Sequence, residues 1–171
     1  MTKDKILVVE DDFITAMEIK RLLETSGYQP YSASSSDDAL KKSVEIKPDL
    51  ILMDVRIKGK NDGIKTTQKI KKLIDVPVIY LTAYTDHQLV ESIKLTRPVA
   101  CILKPFESNE LLSNIEIALY THNTDLKHNK GILDNSIIFY GMIGHLLAAS
   151  MDLDKKSRFL KEFSKILLKR I

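Results

Sequence analysis

Asp54 closes an apolar run, Leu50-Ile51-Leu52-Met53, and three other apolar runs also end in groups that can handle charge. Ile6-Leu7-Val8-Val9 leads into Glu10, Asp11 and Asp12, Val78-Ile79-Tyr80-Leu81 into Thr82, and Cys101-Ile102-Leu103 into Lys104. Acids, an acid, a hydroxyl and an amine thus follow four successive apolar segments. Carboxylates brought together need a cation, a hydroxyl and an ammonium suit a phosphoryl group, and a central aspartate can act as nucleophile. Each residue alone also has a bland reading. Asp11 would serve as a helix cap, Thr82 as a strand residue and Lys104 as a surface lysine at a turn.

The elements that must position these groups alternate. Short continuous apolar runs read as strands buried on both faces of a parallel sheet. The pattern predicts strand 5–10, helix 12–26 ending at Gly27, a weaker strand 29–33, and a helix over 37–46 capped from Ser35-Ser36-Asp37 and stopped by Pro48. Strand 49–53, helix 63–74, strand 78–81 after Pro77, helix 86–96 before Pro98 and strand 100–103 follow. A long helix starts at Glu107 or Ser108, and the absence of Gly and Pro up to Lys130 extends it to about 128. Repeated βα units imply a doubly wound α/β fold with right-handed crossovers, in which sites form at the carboxyl ends of the strands.

Over residues 3–121 the chain resembles the receiver domain of two-component response regulators, on Glu10-Asp11, Asp54, Thr82 and Lys104-Pro105 in that order. The resemblance implies a five-stranded flavodoxin-like sheet of order 2-1-3-4-5 with a receiver at 1–121, and the residues beyond it, 122–171, read as a C-terminal helical extension that the resemblance does not cover. It also implies that Asp54 is the phosphoacceptor and that Mg²⁺ is held by Asp11, Asp54 and the backbone carbonyl of Arg56, with Glu10 reached through water. Thr82, Ala83 and Lys104 are then the phosphate-binding and switch positions, with Lys104-Pro105 a cis peptide. Asp12 matches no functional position and reads as the cap of the first helix. The implied phosphodonor is a histidine kinase. The chain is then no enzyme beyond its own phosphorylation and slow autodephosphorylation.

Three positions depart from the family pattern. Lys58 stands where many receivers have proline, the loop to Asp62-Gly63 is one residue longer, and Cys101 occupies the place of the usual switch Tyr or Phe. A thiol cannot act as that ring, and Tyr84 is the nearest aromatic able to replace it. Its alternative reading is a loop tyrosine gating phosphate access. Between Ala100 and Ile102, Cys101 reads as a small buried residue rather than a redox sensor.

The 171-residue length allows one domain with an appendage. No apolar run approaches a membrane span, the N-terminus leads into a strand, and the single cysteine forms no internal disulfide, so the expectation is a cytoplasmic protein without membrane contact. Residues 1–121 carry 17 Lys/Arg against 18 Asp/Glu and residues 122–171 carry 9 against 5, so the net +3 resides in the tail. Two helices are expected there, 136–150 and 155–170. The first is apolar almost all round (Ile137, Ile138, Met142, Ile143, Leu146, Leu147), and the second has a stripe of Phe159, Phe163 and Leu167. Such helices call for a covering partner, and a homodimer through them is the expected solution. A helix-packing role fits His145 better than phosphotransfer. Nucleic acid is not the expected partner, since too few residues remain for a winged helix. The alternatives are a transcriptional regulator that binds DNA through its basic tail, and a phosphorelay intermediate without output.

Overall fold

The computed structural model describes residues 3–57, 63–83 and 87–127. The expected tail helices, the loop departures at Lys58 and Asp62, and Tyr84 lie outside the described residues. Within them the chain runs β1 (Lys5–Val9), α1 (Phe13–Thr25), β2 (Gln29–Ala33), α2 (Ser36–Ile46), β3 (Leu50–Asp54), α3 (Gly63–Ile70), β4 (Val78–Thr82), α4 (His87–Lys94), β5 (Ala100–Leu103) and α5 (Ser108–Lys127). All neighbouring strands are parallel, and their order is β2-β1-β3-β4-β5. This is the doubly wound sheet implied by the sequence.

Strand alternation divides the core into two. Ile6, Val8, Leu50, Leu52, Ile79, Leu81 and Ile102 pack with α1 and α5 through Ile19, Leu23, Leu111 and Ile115. Leu7, Val9, Ile51, Met53, Val78, Tyr80 and Cys101 face the other way and pack with Ala39, Ile64, Ile70 and Ile93 of α2, α3 and α4. Both faces of the central strands are therefore covered, and β1, β3 and β4 carry no charged residue between their first and last positions.

Caps explain the helix limits. Asp12 accepts from the Thr15 amide at 2.7 Å and begins α1. Gly27, at φ +91°, ends it in a conformation that costs glycine little. Ser35 accepts from Asp38 at 3.3 Å and begins α2, which ends at Lys47 in a left-handed conformation just before Pro48. α3 is regular only to Ile70, four residues short of the expected 74, because the chain tightens into turn bonds from Lys72 to Lys69 and Leu73 to Ile70. α5 runs unbroken past residue 121 to Lys127, as the lack of helix breakers predicts.

Candidate functional site

β1 and β3 are neighbours at the centre of the sheet, so their carboxyl ends bring Glu10 and Asp11 to Asp54. One ligand oxygen from each of the three carboxylates lies within 4.8 Å of the others. β5 is two strands from β3, yet Lys104 closes the gap. Its Nζ donates to Asp54 Oδ2 at 2.6 Å and to Glu10 Oε2. The Lys104-Pro105 bond is cis, as the resemblance implied. The Arg56 amide donates to the other Asp54 oxygen, Oδ1, at 2.9 Å, and the Asp12 amide donates to Glu10 Oε1 at 3.3 Å.

Three carboxylates therefore face one ammonium. Glu10 is nearly inaccessible, its side chain 2% exposed, while Asp54 and Lys104 keep 13% and 21%. Burial pushes the Glu10 carboxyl above its ordinary range. The Lys104 hydrogen bond opposes that shift, and the Asp54 charge adds to it. For Lys104, burial works against the charged form, but hydrogen bonds and attraction from Asp54 and Glu10 outweigh it and raise the lysine. The surplus negative charge and the hard oxygen donors fit a small divalent cation.

Thr82 ends β4 at 1% exposure, beside the β3 end through the Asp54–Leu81 pairing. Its carbonyl accepts the Lys104 amide at 2.8 Å, which ties the hydroxyl-bearing strand to the lysine-bearing one. Ala83 follows at the exposed rim. Glu10, Asp11, Asp54, Thr82, Ala83 and Lys104 thus all belong to the carboxyl edge of one sheet. Arg56 joins through its amide, while its carbonyl is a ligand only by resemblance. Cys101 is buried at 6% exposure with its thiol pushed up to about 12 by burial, which suits a packing residue and not a reactive one.

Sequence reasoning missed one residue that shapes the site. Gly63 begins α3, and its amide donates to Val55 O at 2.9 Å. A Cβ there would stand 1.9 Å from the backbone oxygen of Asp54. The helix thus approaches the end of β3 more closely than any side chain permits. A glycine at a loop-to-helix junction is the only sequence signal of that approach, and by itself it reads as an ordinary loop end.

Comparisons with known proteins agree with this geometry. The response regulator receiver domain family matches residues 6–116. The transcriptional regulatory protein PdtaR of Mycobacterium tuberculosis is 30% identical over 116 residues, which is 67% of this chain and 56% of that protein. The chain thus spans a little over half the length of this relative. The N-terminal domain of a response regulator/sensory box/GGDEF three-domain protein from Carboxydothermus hydrogenoformans is 31% identical, with a TM-score of 0.66 over 72% of this chain and 99% of that one. A CheY-like receiver domain protein from Methanospirillum hungatei is 25% identical, with a TM-score of 0.69 over 72% and 99%. The fold and site define a receiver domain. The chain belongs to the response regulator receiver family.

Proposed function

We propose that Asp54 accepts a phosphoryl group from the phosphohistidine of a histidine kinase and that the acyl phosphate switches the protein's contacts. The observation that carries this reading is Lys104 Nζ bonded to both Glu10 and Asp54 within a cluster of three carboxylates. An Asp54 carboxylate oxygen attacks phosphorus, the P–N bond of the donor breaks, and its electron pair returns to the imidazole nitrogen, which takes a proton. Lys104, already at Asp54 Oδ2, is positioned to pair with a phosphoryl oxygen, and Thr82 with another. Asp11, Asp54, the Arg56 carbonyl and, through water, Glu10 would hold Mg²⁺, which supplies charge neutralisation at the phosphoryl group. The chain is the substrate of the transfer and its own slow phosphatase, not an enzyme for other molecules.

An exposed apolar patch supports docking of the donor. Phe13, Ile14 and Met17 are 77%, 61% and 53% exposed on the first turns of α1, immediately after the acidic residues. Contiguous apolar surface of this kind marks interaction sites. No helix among the described residues is long and apolar enough to cross a membrane, and the reading implies a cytoplasmic protein.

For output, the apolar tail sequence supports a homodimer. The expected result is a dimer of the full chain and a monomer of a chain ending at Lys127, compared by sedimentation at micromolar concentration. A full chain that is monomeric both unmodified and phosphorylated overturns the dimer. The basic tail and the relative's designation as transcriptional also support a second reading, DNA contact, which salt-dependent binding to random duplex DNA would favour.

The phosphoacceptor is tested by intact mass after incubation with acetyl phosphate and Mg²⁺. One phosphoryl adduct is expected, absent in Asp54→Asn and with excess chelator. An adduct that survives either change overturns the reading.

A further inference from the structure

Tyr80 is fully buried in the middle of the sheet, two residues before Thr82 on the same face of β4. A phenol at that depth needs a partner. Its hydroxyl lies 3.0 Å from Thr96 Oγ1, in the turn that follows α4, and Thr96 is itself only 4% exposed. The Thr96 hydroxyl donates to Ile93 O at 2.8 Å, so Tyr80 is the donor in the first bond. On the other side, Lys71 Nζ, from the turn after α3, donates to both Thr96 O and Arg97 O at 2.8 Å. Those carbonyls lie in the turn just past the helix, whose amides bond back to Ile93 O and Lys94 O, and a cation there also suits the helix dipole. Strand β4, the turn after α3 and the turn that closes α4 thus converge on Thr96. Cys101 pairs with Tyr80 in the β4–β5 register and shares its core with Ile93, so no mobile ring at 101 is available to move this junction.

We propose that Tyr80, Thr96 and Lys71 anchor the turn that closes α4 as the fixed pivot of the response to phosphorylation, so that the response is expressed at the carboxyl end of β4, at Thr82 and Ala83, and not at residues 93–97. This rests on Asp54 being the phosphoacceptor. A helix whose following turn is tied to both a sheet strand and a neighbouring turn cannot slide as a body, whereas the change begins at the carboxyl end of β4. Tyr80, Thr96 and Lys71 are positioning residues and touch none of the reacting atoms.

The test uses the full chain, backbone amide spectra and beryllofluoride with Mg²⁺ as the phosphoryl mimic. In the wild type, loading shifts the amides of Asp54, Val55 and Thr82, while those of Ile93 to Arg97 stay in place. Tyr80→Phe keeps the ring and removes the tether. Exchange of the Thr96 and Arg97 amides then accelerates about tenfold in the unloaded protein, and on loading the Ile93–Arg97 amides shift with the rest. Wild-type shifts at Ile93–Arg97 as large as those at Thr82 overturn the pivot, and this arm needs no variant. Unchanged exchange and unchanged loading response in Tyr80→Phe overturn the tether. No shift at Asp54 or Thr82 on addition of the mimic refutes the phosphoacceptor reading and the pivot with it, whereas loading that moves residues 93–97 refutes the pivot alone.

Discussion

Lys104 and Lys71 both reach into the protein, and they end in opposite electrostatic conditions. Lys104 meets the carboxylates of Glu10 and Asp54, and its affinity for a proton rises despite burial. Lys71 donates to the carbonyls of Thr96 and Arg97, and burial lowers it to about 8, with Asp75 opposing the change and Arg97 adding to it. The side chain is the same, and the partners decide the result. A lysine held by neutral dipoles completes a helix end and asks for nothing more. A lysine shared between carboxylates, with Asp11 beside them, leaves negative charge in excess, and that excess is what a phosphoryl-transfer site needs to hold a cation.

The largest expected effect comes from removing the close approach of α3 to the end of β3, on the carboxylate side of the comparison. Gly63→Ala forces a Cβ into the Asp54 backbone and is expected to cost roughly 3 kcal/mol or more in urea unfolding. It should also abolish the phosphoryl adduct.

Lys104→Met comes next. Leaving Glu10 and Asp54 facing each other costs about 1–3 kcal/mol at pH 8. The variant's Glu10 is raised further, so it takes up a proton more readily folded than unfolded, and the deficit should shrink as pH falls toward 5. Chemical denaturation across pH checks this, and a deficit that grows on acidification contradicts it.

Lys71→Met sharpens the contrast through the opposite pH signature. The wild-type Lys71 is depressed, so the unfolded chain binds its proton between about 8 and 10.5 while the folded one does not. Stability of the wild type relative to the variant should therefore rise with pH across that window. A flat difference would mean that Lys71 is better solvated than its geometry indicates.

The smallest effect belongs to Cys101→Ala. Removing a buried sulfur costs about 1 kcal/mol and should leave the beryllofluoride response intact, whereas Thr82→Ala should uncouple it. Equal loss in both variants would give Cys101 a coupling role that its packing does not suggest.

The strand ends were readable in the sequence because parallel strands buried on both faces leave polar groups only at their termini, so Glu10, Asp54, Thr82 and Lys104 stood out against the runs before them. Asp12 and Ser35 were readable as caps for a similarly local reason. What escaped was the contact that crosses elements. Tyr80 and Thr96 are 16 residues apart, and Lys71 and Thr96 are 25 apart. Each reads singly as an ordinary strand, helix-end or surface residue. Gly63 escaped because a steric requirement for the absence of a side chain leaves no positive mark. The shortened α3 reflects hydrogen bonds that tighten after Ile70, which periodicity does not sense.

The central claim is that the charge gathered at the carboxyl ends of β1, β3 and β5 serves one nucleophile, Asp54. The most direct measurement is to phosphorylate the full chain with acetyl phosphate and Mg²⁺, reduce it with borohydride, and map the peptides by mass. An acyl phosphate on Asp54 is reduced to the alcohol, so the account predicts homoserine at position 54 and at no other acidic residue. Reduction at Asp11 or Glu10 instead, or a phosphoryl adduct with no reducible acyl group, would contradict it.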